Sequence, residues 1–231
     1  MPQILKFGHR GDSGNFPENT MLAFNKALKK GCDGVELDGS LTKDGRVVII
    51  HDEMLDRTTN SKGLVIETSF DEIRKLDAGQ GQTVPTMEEV LDWAKAKGCL
   101  INFELKDRDM IDIVGQAISE RNLERQVFVT SFLHDEIVEF KKRYSSIQVG
   151  FIFDHCPLKP NQMVRDAKEN GVYILSMKSE WIFKWRGENI VNLAHGAGLK
   201  VHIWGVNDAP SIARMKAMDV DALIGNYPGL L

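Results

Sequence analysis

The stretch "VELDGSLTKDGRVVIIHD", residues 35–52, sets two carboxylates, Glu36 and Asp38, on an apolar strand and ends in a His-Asp pair. Strand residues two apart share a face, so Glu36 and Asp38 point the same way while Val35 and Leu37 point the other. Between the two β-prone runs stands Asp44-Gly45, a strong short hairpin signal. A two-residue turn there pairs Lys43 with Arg46, and counting outward sets Asp38 opposite His51. Cross-strand partners share a face, so this register predicts that Glu36, Asp38 and His51 converge. A loop one residue longer would break the pairing.

Working outward, short apolar runs alternate with segments of helical period. Strands are expected at 3–8, 33–39, 100–105, 127–131, 147–153, 172–177, 200–206 and 221–225, and helices at about 18–30, 86–98, 109–121, 134–144, 160–170, 187–197 and 208–218. Asn19-Thr20, the box Thr86-x-x-Glu89 and Asp208-Ala-Pro210 are start signals, while Gly31, Gly98, Gly171 and Gly198 are stops. Eight strands alternating with helices imply a parallel sheet, and eight is the number that closes a (β/α)8 TIM barrel. An open doubly wound sheet is the alternative, but no GxGxxG or P-loop follows the first strand. Residues 46–50 then form an antiparallel return arm, a β-hairpin extension outside the barrel. Residues 53–85 form an insertion after the second strand, of the kind that builds lids or binding surfaces. No repeat or linker divides residues 1–231, so one catalytic domain is expected.

The chain has 231 residues, 42% of them hydrophobic and 27% charged, with a formal net charge of −4, which describes an ordinary globular protein with no overall pull toward nucleic acid or anionic membrane. The short basic run Lys141-Lys142-Arg143 reads as a solvated helix end. Cys32, Cys99 and Cys156 are odd in number and widely spaced, which suits reduced thiols in a cytoplasmic protein. The opening run carries no signal-peptide pattern, and no apolar stretch is long enough to span a membrane.

Barrel enzymes carry their chemistry at the C-terminal ends of the strands. The first expected strand runs into His9-Arg10, the third ends in Glu104-Leu105-Lys106, and the seventh contains Trp204. Taken singly, a histidine at a strand end is more often structural, and His134, His155, His195 and His202 keep that reading. Taken together, so many ionisable groups at one end of an apolar barrel point to function.

The run "HRGDSGNFPENTMLAFNKALKKGCDGVELDGSLTKDGRVVIIHDEMLDRTTNSKG", with "NFELK" and "HIWGVND" later, resembles the glycerophosphodiester phosphodiesterase family, from His9 to Pro228. The resemblance implies a phosphatidylinositol-phospholipase-C-like barrel, one divalent metal (Mg²⁺ or Ca²⁺), and hydrolysis of small glycerophosphodiesters to sn-glycerol 3-phosphate and an alcohol. It implies His9 and His51 as the acid-base pair, working through a cyclic phosphate. It further implies Glu36, Asp38 and Glu104 as metal ligands and Arg10 and Lys106 at the phosphate. Trp204 becomes a substrate wall, and Glu18 and Asn19 of "PENT" fall on substrate-site and supporting positions. Gly39 and Gly205 stand where bulkier residues are common, and "IGNYP" replaces a threonine-containing ending. Three other readings stay open. A lysophospholipase D would show an apolar rim, from Phe153, Trp181, Trp185 or the insertion. A phosphosugar isomerase would have no evident need for the two histidines. A non-catalytic barrel that only binds phosphate esters would not need an acid-base pair at all.

Overall fold

A computed structural model describes residues 3–155, 159–184 and 187–231; Cys156 and Trp185 lie outside them. The elements follow in order as β1 (Leu5–His9), α1 (Met21–Lys29), β2 (Gly34–Leu41), β3 (Val47–Ile49), α2 (Phe70–Ile73), α3 (Met87–Lys97), β4 (Leu100–Leu105), α4 (Ile111–Glu120) and β5 (Val127–Ser131). They continue with α5 (His134–Arg143), β6 (Gln148–Phe153), α6 (Pro160–Glu169), β7 (Ile174–Lys178), α7 (Ser179–Lys184), α8 (Gly187–Gly196), β8 (Lys200–Trp204), α9 (Ala209–Ala217) and β9 (Ala222–Gly225). The sheet runs β1-β9-β8-β7-β6-β5-β4-β2-β3, and pairing of β1 with β2 closes the eight parallel strands into a TIM-like barrel. Each expected strand and helix has a counterpart, and the short α2 and α7 are additions.

Local chemistry sets the boundaries. Thr86 Oγ1 accepts from the Glu89 amide at 3.0 Å while the Glu89 carboxylate accepts from the Thr86 amide at 2.9 Å, which is the expected capping box at the head of α3. Along β2 the odd residues Val35 and Leu37 join the large cluster between sheet and helices, so the even residues Glu36 and Asp38 are left to the barrel interior. The interior near the barrel's N-terminal end is apolar, with Phe7, Ala222 and Ile224 packed together.

The hairpin departs from the two-residue turn. Gly39 pairs with Ile49, Ser40 with Val48 and Leu41 with Val47, and the Ile50 amide donates to the Asp38 carbonyl at 2.9 Å. Asp38 therefore faces Ile50, not His51, one residue off the expected register. The cause lies at the turn. A two-residue type I′ turn needs positive φ at both Asp44 and Gly45, and here Gly45 has φ 73° while Asp44 is not in that region. The Gly45 amide instead donates to the Thr42 carbonyl at 2.9 Å and the Thr42 amide to the Arg46 carbonyl at 2.9 Å, giving a three-residue loop. Asp44 is occupied elsewhere: its Oδ1 accepts from the Thr42 hydroxyl at 2.7 Å and from the Phe70 amide at 2.9 Å.

The insertion has its own core, in which Val48 and Ile50 of the return arm meet Leu55, Val65, Ile73, Ala78 and Val84. Arg74 fastens it to α3, donating to Glu89 at 2.7 and 3.0 Å and to the Val84 carbonyl at 2.6 Å.

Candidate active site

Glu36 and Asp38 from β2 meet Glu104 from β4, because Asp38 and Glu104 are register partners on adjacent parallel strands. All three are buried, and each offers an oxygen within 4.8 Å of the others. Burial, then the neighbouring charges of Asp38 and Glu104, push the Glu36 carboxyl well above its ordinary range. Burial and Asp38 push Glu104 up to about 7, against the pull of Lys106. Asp38 Oδ1 is buried with no hydrogen-bond partner among the described residues. Three hard oxygen donors held together at this cost, one of them unpaired, fit a divalent cation and could hold it.

Basic groups surround the triad. Arg10, at φ 53°, donates its amide to Glu36 Oε2 at 3.0 Å and sets Nε 3.3 Å from Asp38 Oδ2. A non-glycine residue at positive φ is uncommon, and such strain gathers at functional sites. Lys106 Nζ lies 3.1 Å from Glu104 Oε1. Asn19, also at positive φ (55°), donates Nδ2 to Asp38 Oδ2 at 2.8 Å.

The two histidines have different anchors. His9 Nδ1 donates to Asn226 Oδ1 at 2.6 Å, which leaves Nε2 as the acceptor, 3.8 Å from Glu36 Oε2. Burial and the adjacent Arg10 lower its pKa to about 4. His51 Nδ1 donates to Asp52 Oδ1 at 2.6 Å. Although the register does not bring His51 to Asp38, the strand ends at Ile49 and the chain turns, so His51 still lines the same pocket as His9, Arg10, Glu36 and Glu104. This pocket has a volume of about 90 Å³, with Trp204 and Ile152 among its apolar lining and Asn102 and Ser176 among its polar lining. Phe132 stands 42% exposed at its rim, edge-on to Trp204 with ring centroids 6.3 Å apart.

Three expected placements change: Lys106, beside Glu104, is not among the residues that line this pocket, and neither are Glu18 and Asn19. The Glu18 oxygens accept from Arg10 at 2.9 Å and from Arg57 at 2.7 and 2.8 Å, which holds the carboxyl down at about 2 despite its burial. Asn19 stands behind Asp38. Glu18 and Asn19 line a second, small cavity that His51 also borders. Phe153 packs edge-on against His134 at 4.8 Å, and Trp181 is only partly exposed, so among the described residues the exposed aromatic ring that lines the pocket is Phe132. Gly39 has a local cause: a Cβ there would come within 2.5 Å of the Phe103 ring.

Asp52, Arg57 and Asn226 had no assigned part in the sequence reading. The adjacency of His51 and Asp52 was visible, but a neighbour in sequence is not evidence of a side-chain bond. Asn226 lies 217 positions from His9 and is brought there by the pairing of β1 with β9.

Fold and mouth first define a class: the closed parallel α/β-barrel enzymes with an acidic centre able to hold a metal ion. Residues 9–230 match the Glycerophosphoryl diester phosphodiesterase family. The chain belongs to this family and is thereby a phosphoric diester hydrolase. It is 35% identical to a glycerophosphodiester phosphodiesterase of Caldanaerobacter subterraneus over 99% of this chain and 96% of that one. A glycerophosphodiester phosphodiesterase crystal structure from Thermotoga maritima superposes with a TM-score of 0.85 at 26% identity, covering 100% of this chain and 97% of the other. An Oleispira antarctica phosphodiesterase, solved with the product sn-glycerol-3-phosphate, gives 0.85 at 27% identity over 97% of this chain and 94% of that chain.

Proposed function

We propose that the chain hydrolyses glycerophosphodiesters to sn-glycerol 3-phosphate and an alcohol, with His9 and His51 as the acid-base pair. The observation that carries this reading is the placement of both imidazoles in one pocket with Arg10, Glu36 and Glu104, each imidazole held through Nδ1 by a fixed acceptor. Strands from residue 5 to residue 225 close one barrel, which supports a single catalytic domain over 1–231.

Glu36, Asp38 and Glu104 would hold Mg²⁺ or Ca²⁺. When bound, such an ion supplies positive charge next to the phosphate. Arg10 and Lys106 bind the phosphate oxygens, and the Trp204 wall seats the glycerol carbons. One histidine takes the proton from the glycerol 2-hydroxyl as its oxygen bonds to phosphorus. The other gives a proton to the alcohol oxygen as its bond to phosphorus breaks. Water then opens the resulting cyclic phosphate with the two roles reversed. Each proton transfer is worth about 10²–10⁴-fold, or about 3–5 kcal/mol, against the roughly 8–23 kcal/mol by which enzymes lower barriers. The fixed positive charge around the phosphate contributes the larger share.

The test is a substrate panel: glycerophosphocholine, glycerophosphoethanolamine, glycerophosphoinositol and a lysolipid, each with Mg²⁺, Ca²⁺ or EDTA, scored by release of glycerol 3-phosphate from the water-soluble diesters and of the acylglycerol phosphate from the lysolipid. Release from the water-soluble diesters, stopped by EDTA, is the expected result. Silence on every diester with either ion refutes the reading.

A further inference from the structure

Arg57 belongs to the insertion, not to the barrel, and its side chain is 48% exposed. It nonetheless bonds two carboxylates at once. Nε and Nη2 donate to Asp52 at 2.6 and 2.9 Å, and Nη1 and Nη2 donate to Glu18 at 2.7 and 2.8 Å. Each carboxylate holds a second group at the pocket. Asp52 holds the His51 ring at Nδ1, 2.6 Å away. Glu18 holds Arg10 Nη1 at 2.9 Å, and Arg10 Nε in turn lies beside Asp38. One guanidinium therefore ties an imidazole on one side of the pocket to an arginine on the other.

We propose that Arg57 is a positioning residue that fixes His51 and Arg10 together, so that the insertion serves the reaction as a brace. The proposal rests on the roles given above to His51 and Arg10. The alternative is an exposed salt bridge of little consequence, which is the rule for isolated surface pairs. Two features set Arg57 apart from that rule. It binds both carboxylates bidentately, a geometry that fixes orientation as well as charge. Its backbone is also held by packing, since Leu55, two residues earlier, is buried in the insertion's core. The insertion has a separate attachment through Arg74 and Glu89, so loss of Arg57 does not by itself release it.

The brace has a distinctive signature: a small effect on folding together with a large effect on turnover. In the metal-supplemented full chain, Arg57→Ala should lower kcat/KM about 10–100-fold, the usual cost of losing an outer positioning partner, with little change in melting temperature. Asp52→Asn should act on kcat, through His51. Glu18→Gln should act on KM, through Arg10. Arg57→Ala should show both effects, and the Arg57→Ala/Asp52→Asn double variant should fall short of the product of the singles. Arg57→Lys should stay impaired, because an ammonium is a point charge and cannot form both forks, while added guanidinium should partly restore Arg57→Ala.

A second readout needs no substrate. Side-chain ¹⁵N NMR of the wild-type chain should show His51 with a fixed Nδ1 proton, and Arg57→Ala should let the two ring tautomers average. If the wild type cleaves no diester but the His51 signal responds in this way, the functional reading fails and the brace stands. The brace is overturned if Arg57→Ala leaves the His51 signal unchanged, or if it leaves kcat/KM of an active enzyme within about threefold of wild type.

Discussion

The two mouths of the barrel are built from the same residue types and reach opposite electrostatic outcomes. At the N-terminal mouth the carboxylate of Asp221 accepts from Lys200 Nζ at 2.7 Å, His195 Nε2 at 2.8 Å and the Val201 amide at 2.8 Å. These bonds outweigh the cost of its partial burial and keep its pKa below the ordinary value. At the C-terminal mouth three carboxylates crowd within 4.8 Å, two are pushed upward, and one oxygen of Asp38 has no partner among the described residues. The N-terminal mouth has the larger cavity, about 500 Å³ against about 90 Å³. Size does not mark the functional end. The unresolved repulsion does, because a charge cluster that costs stability persists where it has a task.

The largest expected effects come from discharging the C-terminal mouth. Glu36→Gln keeps the shape of the side chain and removes an anionic oxygen donor, so turnover should fall by roughly 10³-fold or more, a loss of about 4 kcal/mol or greater in barrier lowering. Because this carboxyl is already driven toward its neutral form, the variant should melt no lower than the wild type in EDTA. A clear loss of melting temperature would mean that the triad stabilises the fold, contrary to the comparison of the two mouths. His9→Ala and His51→Ala should each cost about 10²–10⁴-fold while leaving the circular dichroism spectrum unchanged, and near-normal turnover in either would remove that residue from the acid-base pair.

The acidic centre should also couple metal binding to pH. Without an ion Glu36 carries a raised pKa, and Glu104 titrates at about 7, so at neutral and lower pH the centre binds protons that an ion must displace. Affinity should therefore climb as pH rises from 5 through 7, by up to about tenfold per pH unit for each proton released, and flatten only once both carboxyls have lost their protons. Calorimetry in buffers of different ionisation enthalpy measures the proton count. A count of zero at pH 6 would mean that the carboxylates are charged without the ion, as Asp221 is at the opposite end.

Much of this was legible in the sequence, and the gaps have physical reasons. The barrel could be read because eight apolar runs, Thr86-x-x-Glu89 and the terminal glycines all agree on one alternation. Local spacing showed that Glu36 and Asp38 share a face whatever the register, while Glu104 joined them only through the family resemblance, because its place beside Asp38 depends on the pairing of β2 with β4. The register could not be read, because the Asp44-Gly45 signal does not say whether Asp44 takes positive φ, and its bonds to Thr42 and Phe70 hold it out of that region. The placement of His51 beside the pocket was reached through a pairing that does not exist; the chain brings it there by turning after Ile49. Asn226 and Arg57 stayed hidden because their contacts join distant parts of the chain, through strand closure in one case and a folded insertion in the other.

The smallest effect concerns the N-terminal mouth, where Asp221→Asn should leave kcat and KM unchanged and lower stability. The amide keeps one acceptor oxygen in place of two and turns an N–H₂ toward groups that themselves donate, so at least one of Lys200, His195 and the Val201 amide loses its partner. An unsatisfied donor at this partly buried site costs up to about 3 kcal/mol, which for a chain of this size corresponds to at most roughly 12 °C in melting temperature. The sign of the pH dependence follows from the lowered pKa of Asp221. A carboxylate whose folded pKa is depressed contributes stability above its unfolded pKa and loses it as pH falls through the folded value. The gap between wild type and Asp221→Asn should thus be full at pH 7 and shrink in acid below the ordinary carboxylate range. If Asp221→Asn instead impairs turnover at unchanged stability, the N-terminal mouth takes part in the reaction, and the division of labour between the two ends is wrong.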